Sequence, residues 1–409
     1  MAVKMPVPAP KRIIKGRMKV FICQCGCGLR GLDGARLENY FRLNGGSVIE
    51  DPQKADIIVL IACGYKKSRE DECFRLIREF HKLRGKLLVV GCLPEISPTR
   101  FKRAFHGPAL PSKNLDHIET FFPSFKIKYR DVPDANRPMP QFRMRNGQEG
   151  AQPPVIRIAN GCLGQCAYCA IRQAVGTLRS KPIDICVKEY RALLEKGHTC
   201  FILNAEDVGS YGFDIGSSFP ELLDHLERVD RRPNIYWKLL AFNPHNLIRY
   251  QGELLKYVRK GRIIDLQSDI QSGSQRILKL MNRPYKIAEV TKGLLNLKKA
   301  NPNIYLRTIC LVGFPSETDE EYMDSLSVMK KIDLDYILVI PYSDRERTPS
   351  SRMPHKIPAA TIEKRLEMAR KYFSRENFTA SRDIHFLTLM KSAPPYEPDP
   401  FVWRIRCQA

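Results

Sequence analysis

Cys162, Cys166 and Cys169, in the run Asn160-Gly-Cys-Leu-Gly-Gln-Cys-Ala-Tyr-Cys169, have the residue type and spacing that most clearly imply chemistry. With three and then two residues between them, their thiolates can turn inward on one short loop and hold three irons of a cubane cluster. Such a cluster normally takes four cysteines, so a tripod leaves one iron open to a small molecule. That distinguishes a reactive cluster from an electron relay. Structural zinc prefers closed four-ligand sets with paired knuckles or histidines, and no histidine lies close to this run. A disulfide reading needs an oxidising compartment. Tyr168, between the last two cysteines, fits a dry wall around such a cluster, the plainer alternative being a core tyrosine.

A second group of cysteines is spread along the first quarter of the chain. Cys27, Cys63 and Cys92 each fall just past an apolar, β-rich run: Lys19–Ile22, Asp56–Ile61 and Lys86–Val90. In an open parallel sheet, ligands collect outside the carboxyl ends of the strands, so three cysteines at equivalent positions can converge on one rim as a second metal site. Cys23 and Cys25 compete with Cys27, because the three share one face if that segment is extended. Cys73, Cys186, Cys200 and Cys310 sit in apolar periodic segments and read as packing residues. Cys407 has no evident partner.

The elements that must position these residues alternate. Helical stretches at Gly34–Leu43 and Ser68–Leu83 separate the first strands, the pattern of a doubly wound parallel sheet. Residues 131–152, rich in Pro, Asn, Gln and Gly, read as a linker. Val155–Ala159 then leads into the Cys162 loop. Strands follow at Thr199–Asn204, Ile235–Leu240, Ile263–Ser268, Ile304–Val312 and Tyr336–Ile340. Six strands in a βα series predict a full or partial (β/α) TIM-type barrel, a fold that places chemistry at the carboxyl ends of its strands. The expected plan is α/β throughout: a basic arm over 1–18, a parallel-sheet domain over 19–130, the linker, a barrel domain over 153–375 and a short tail over 376–409.

The chain carries a formal net charge of +23 over 409 residues, a field suited to gathering a polyanion, with nucleic acid the leading candidate. No apolar run reaches membrane-spanning length, and Met1–Arg17 lacks the apolar stretch of a secretory signal. Thirteen cysteines in such a chain point to a reducing, cytoplasmic setting and to metal or thiol chemistry.

Beyond the cysteine loop, the chain resembles the radical S-adenosylmethionine (SAM) methylthiotransferases, nearest their archaeal and eukaryotic threonylcarbamoyladenosine tRNA branch. The likeness runs from about Lys19 to Leu366. It is carried by the run from Asn160 to Arg172, Gly176 with Arg179-Ser180, Glu206-Asp207-Val-Gly-Ser-Tyr-Gly212, Asn243-Pro244, Gln271-Ser-Gly-Ser274, Met281-Asn-Arg283 and Val312-Gly-Phe-Pro-Ser-Glu-Thr318. In the first domain it is carried by Cys27 with Asp33, Ala62-Cys63-Gly-Tyr-Lys66 and Val90-Gly-Cys-Leu-Pro94.

The resemblance implies two 4Fe–4S clusters, one on Cys162, Cys166 and Cys169 and an auxiliary one on Cys27, Cys63 and Cys92, with Cys23 and Cys25 not ligands. SAM would chelate the open iron and be cleaved to a 5′-deoxyadenosyl radical, which abstracts hydrogen from an unactivated carbon, C2 of the modified adenine. The auxiliary cluster would supply sulfur, and a second SAM the methyl group. Tyr168, Glu206, Gln271, Ser272, Gly273 and Gly313 would line the cofactor, with no catalytic residue beyond the cluster ligands. For Gln271–Ser274 and Gly313 the plainer alternative is an ordinary turn, in the first case with a serine cap; for Glu206 it is a surface turn acid. A reductant such as flavodoxin or ferredoxin, a sulfur donor and tRNA are the expected partners, and no membrane.

The chain departs from the family's pattern at Val175, Gln267, Asp269, Ile309 and Arg345-Glu-Arg-Thr348, positions expected at the barrel mouth. The closing β-barrel (TRAM) domain of the family also has too little chain here. Both departures favour, as the alternative, the same chemistry on a peptide, protein or small metabolite. A non-catalytic, zinc-containing RNA-binding protein would explain the charge but leave the open tripod unused.

Overall fold

The computed structural model describes residues 17–65, 67–136, 153–374 and 383–386. Most of the basic arm, most of the linker, Lys66, Cys407 and most of the tail lie outside the described residues. Internal packing divides the described residues into two compact units, 17–136 with 173–175, and 153–172 with 176–374 and 383–386.

The first unit is built on a five-stranded parallel sheet. Its strands are β1 (Lys19–Gln24), β2 (Ser47–Val48), β3 (Ile57–Ala62), β4 (Lys86–Gly91) and β5 (Ala109–Pro111), in the order β2-β1-β3-β4-β5. The central strand β3 reads Ile-Ile-Val-Leu-Ile-Ala and is buried throughout, because helices and loops cover both faces. Its residues alternate between two cores. Ile58, Leu60 and Ala62 pack with Phe21, Cys73, Phe74 and Ile77 on one side, and Ile57, Val59 and Ile61 with Leu37, Tyr40 and Phe41 on the other. Each fully buried aliphatic side chain of this kind is worth about 1.5–3 kcal/mol.

The second unit is a seven-stranded parallel sheet flanked by helices. It contains β6 (Val155–Arg157), β9 (Cys200–Asn204), β10 (Tyr236–Leu240), β11 (Ile263–Gln267), β12 (Tyr305–Val312), β13 (Tyr336–Pro341) and β14 (Asp383–Phe386), in that spatial order. The short strands β7 (Ala159–Asn160) and β8 (Arg179–Ser180) pair antiparallel beside it. The expected strand Val155–Ala159 is therefore two elements, since Ala159–Asn160 leaves the main sheet to pair with Arg179–Ser180. A seventh strand, β14, arises in what reads from sequence as a featureless tail and pairs in register with β13.

Side-chain alternation gives this sheet two different faces. Ile156, Phe201, Leu203, Trp237, Leu239, Leu266 and Leu306 pack into the large helix-side core. The intervening positions include Arg157, Asn204, Lys238, Asp265, Gln267 and Arg307, which give the inner face a polar network beside the apolar Val155, Ile202 and Leu240. Lys238 Nζ lies 3.2 Å from Asp265 Oδ2, and Arg307 donates through Nε to Asp265 Oδ1 at 2.8 Å. Among the described residues no helix is long and apolar enough to cross a membrane.

Candidate cluster sites

The Cys162 loop leaves β7 and is fixed by backbone bonds to three distant segments. Cys162 N–H donates to Gly176 O (3.1 Å), Ala167 N–H to Met281 O (2.9 Å) and Ser350 N–H to Ala167 O (2.9 Å). Asn282 Nδ2 adds a bond to Gln165 O at 2.8 Å. Gly161, at φ +79°, lies so close to Thr177 that a Cβ would fall 2.0 Å from its carbonyl oxygen, so only glycine fits there. Beneath the loop, Ala167, Ile277, Met281, Leu311, Phe314 and Tyr342 form a small apolar floor, against which Tyr168 packs. The Tyr168 ring meets Phe314 edge-on at 6.5 Å, a packing that suits either a wall beside a cluster or a core tyrosine.

Cys162, Cys166 and Cys169 are all unbridged and half-buried. Among the described residues no three His, Cys, Asp or Glu side chains are already gathered tightly enough to hold a single metal ion. The loop does offer room beside its sulfurs. Gly164 has no side chain where a Cβ would stand 3.2 Å from Cys162 Sγ and 3.9 Å from Cys166 Sγ, and its N–H donates to Cys162 Sγ at 3.2 Å. An amide pointing at a thiolate suits an anionic sulfur ligand. Burial pushes the Cys162 thiol up to about 12 and raises Cys169 as well, so these thiols stay protonated until a metal displaces the proton. Soft donors, half-buried and ringed by N–H groups, fit an iron–sulfur cluster.

A cavity of about 360 Å³ adjoins this loop, lined in part by Gly164, Cys166, Asp207, Asn246 and Arg283. Asp207 is committed to the protein. It accepts from Ser210 Oγ (2.6 Å), Asn246 Nδ2 (3.1 Å), Asn243 N–H (3.2 Å) and Gly209 N–H (3.1 Å), while burial raises its pKa. Glu206, the preceding candidate, is half-buried beyond the end of β9.

The Gln271-Ser-Gly-Ser274 turn is held largely by the protein itself. Ser274 caps the helix Gln275–Leu280 and donates to Glu321 Oε1 at 2.8 Å. Gly273 N–H donates to Ser325 Oγ (2.7 Å), which also lies 3.3 Å from Ser272 Oγ. A Cβ on Gly273 would strike the Asp324–Ser325 backbone at 2.6 Å. Gly313 is similar: its N–H donates to Glu317 Oε2 at 2.7 Å and its Cα faces Ile362. For Ser272, Gly273 and Gly313 the turn-and-packing alternative therefore accounts for the residue type. Gln271 is buried with a left-handed backbone, φ +68°, and bridges to Cys310. Sequence reasoning passed over Arg283 as a site residue. Its guanidinium is buried and reaches Cys166 Sγ at 3.4 Å and Tyr168 Oη at 3.2 Å. The only signal was its place in Met281-Asn-Arg283.

In the first unit, Cys27, Cys63 and Cys92 follow β1, β3 and β4, three adjacent strands whose ends are in register. Gly91, at φ +111°, lets β4 approach β3 so closely that a Cβ would meet Ala62 O at 2.5 Å; Cys92 N–H then bonds Ala62 O at 2.9 Å. Burial drives the Cys63 thiol well up, and charge on Cys27 and Cys92 raises it further. Cys27 is exposed at the start of the helix Gly28–Leu43, whereas Cys23 and Cys25 are buried. The extended alternation stops before Cys27 because the chain turns into that helix. Cys25 is occupied elsewhere, with Cys73 Sγ donating to it at 3.2 Å. Asp33 is taken by a buried ion pair with Arg30 at 2.7 Å.

Comparison with known proteins agrees with this geometry. Residues 156–329 match the Radical SAM superfamily, and residues 19–109 match the uncharacterized protein family UPF0004. A probable threonylcarbamoyladenosine tRNA methylthiotransferase of Pyrococcus abyssi is 29% identical over 344 residues, 82% of this chain and 79% of the relative. Ribosomal protein uS12 methylthiotransferase RimO of Thermosipho africanus is 27% identical over 374 residues, 88% and 84% of the two chains. In fold, the radical S-adenosylmethionine methyltransferase TsrM of Kitasatospora setae, solved with cobalamin and a 4Fe–4S cluster, superposes with a TM-score of 0.60 at 11% identity, over 82% of this chain and 77% of that one. The sheet-and-helix architecture and the cysteine loop are those of a radical SAM enzyme. Within that class the relatives it matches along most of its length are methylthiotransferases.

Proposed function

We propose that this enzyme installs a methylthio group on an RNA base, C2 of N6-threonylcarbamoyladenosine in tRNA. The observation that carries the reading is the presence in one chain of two cysteine triads, one on the single loop that leaves β7 and one following the parallel strands β1, β3 and β4. Inserting sulfur at an unactivated C–H needs a site that generates a radical and a site that supplies sulfur, and one cluster does not serve both. Cys162, Cys166 and Cys169 would hold the first cluster, and Cys27, Cys63 and Cys92 the auxiliary one. When bound, the first cluster with SAM supplies one-electron cleavage of a sulfonium, and the auxiliary cluster supplies sulfur.

The chain's own residues bind, orient and exclude water. Tyr168 and the apolar floor keep solvent from the loop. Asp207 fixes Ser210, Asn243 and Asn246 along the adjoining cavity. Glu206 and Gln271 are the side chains offered to the cofactor, while Ser272, Gly273 and Gly313 shape the turns that carry them. The net charge of +23 supports a nucleic-acid substrate, as does the tRNA named for the Pyrococcus abyssi relative. A low-potential protein reductant and a sulfur donor complete the partners.

Anaerobic reconstitution followed by iron and sulfide counting tests the two-cluster assignment, and reductant-dependent release of 5′-deoxyadenosine tests the chemistry. Cys162→Ala should abolish that release, and Cys27→Ala should spare it while losing sulfur transfer. Nucleoside mass spectrometry of a strain lacking the gene tests the substrate: an unchanged methylthio-nucleoside profile removes tRNA. The ribosomal-protein methylthiotransferase at comparable identity supports the second reading, a protein substrate, which would show in that strain as a peptide lacking a methylthio mass increment.

A further inference from the structure

Arg283 is 7% exposed, yet no carboxylate lies within ion-pair distance of it among the described residues. Its guanidinium is held by neutral groups. Nε donates to Tyr285 Oη at 2.9 Å, Nη2 to Asp269 O at 2.7 Å and Nη1 to Tyr168 Oη at 3.2 Å. The Tyr285 ring lies beneath it, 5.2 Å from ring centroid to guanidinium carbon, and Tyr285 Oη donates onward to Ile270 O at 2.6 Å. The nearby Asp269 carboxylate is turned to Gln267 Nε2 (3.0 Å) and touches Arg283 only through its backbone oxygen. The remaining contact is Nη1 to Cys166 Sγ at 3.4 Å. A guanidinium cannot shed its proton to relieve burial, and burying it without a counter-charge is costly. The arrangement makes sense if the counter-charge is the sulfur side of the loop.

We propose that Arg283 is a positioning residue that sets the reduction potential of the cluster on Cys162, Cys166 and Cys169, by placing a fixed positive charge and an N–H donor against the Cys166 sulfur. This rests on the reading that these three cysteines hold a 4Fe–4S cluster. On accepting one electron from a low-potential donor, the core passes from 2+ to 1+, and core plus three thiolates from −1 to −2. No proton needs to move. A permanent cation beside a ligand favours the more negative state, and hydrogen bonds to cluster sulfurs act in the same direction. The planar fork matters as well as the charge. Three neutral acceptors hold the group while Nη1 still faces sulfur, which a lysine ammonium on its flexible stem does not reproduce.

The test is an EPR-monitored redox titration of the anaerobically reconstituted full chain, following the reduced-cluster signal that SAM addition alters. Arg283→Met should move the midpoint negative, so that at a fixed potential the reduced-to-oxidised ratio falls at least tenfold, or 59 mV for one electron. Arg283→Lys should move it by less. A Met variant that carries wild-type iron with an unmoved midpoint overturns the proposal. If that variant loses iron, Tyr285→Phe decides: removing the hydroxyl that accepts from Nε at 2.9 Å frees the fork from its position against sulfur, so the midpoint should move negative, and no movement refutes the role. A wild-type chain without a SAM-responsive cluster sinks the cluster assignment instead, and the iron count separates the two outcomes.

Discussion

Replacing Asp265 by asparagine tests whether the polar inner face of the second unit is held by charge balance. Asp265 is 1% exposed and Lys238 6% exposed. The carboxylate is shared between the Lys238 ammonium at 3.2 Å and the Arg307 guanidinium at 2.8 Å. The Asp265→Asn change keeps the shape but removes the only negative charge of the three, leaving two cations facing each other on β10 and β12. Breaking a buried pair by removing one partner costs about 3–5 kcal/mol, because the remaining charge stays desolvated. For a unit of this size that is a loss on the order of 10 °C in melting temperature. Thermal and urea unfolding of the two proteins measure it. Adding Lys238→Met to the Asn variant should recover part of the loss by removing the stranded ammonium, a coupling that the double-mutant cycle isolates. An Asp265→Asn variant within about 1 kcal/mol of wild type, or a double variant no more stable than the single one, would refute the charge-balance argument.

Three other predictions concern the rim. Arg365 donates to Glu317 Oε2 at 3.0 Å and to Asp319 at 2.8 Å, and Glu317 is fully enclosed; Arg365→Ala should therefore cost about 3–5 kcal/mol in urea unfolding, with Glu317→Gln restoring part. Burial raises Asp269 to about 6. The folded protein then keeps a proton that the unfolded chain releases from about pH 4 upward, and stability should fall by up to about 3 kcal/mol as pH rises through 6. Denaturation of the cluster-free protein across that range should show this slope, and Asp269→Asn should flatten it. Gly164→Ala places a methyl 3.2 Å from Cys162 Sγ, so iron and sulfide per chain should drop while the melting temperature of the cluster-free protein stays unchanged.

Much of the fold was legible because its strands are short apolar runs bounded by turn residues. Ile57–Ala62 differs from its expected limits by one residue at each end, and Tyr305–Val312 by one residue at its start. The cysteine positions were legible for a related reason: a parallel strand ends where its side chains turn polar, and Cys63 and Cys92 follow directly. The strand Asp383–Phe386 was not, since its apolar content is slight and its assignment depends on pairing with Tyr336–Val339. Arg283 was missed because its surroundings come from Tyr168, Asp269 and Tyr285, which only the folded chain assembles. Gly273 and Gly313 were legible as motif glycines, but that Ser325 and Ile362 occupy the space a side chain would need is visible only in the folded chain.

The cysteine loop is tied by main-chain bonds to residues 176, 281 and 350. Its ligands are therefore arranged by tertiary folding, and loop-closure entropy is largely spent before any iron arrives. Iron delivery to such a receptacle resembles loading a mould already cast. A chelated sample should keep its far-ultraviolet dichroism and accept iron again without refolding, unlike small zinc domains that collapse once stripped.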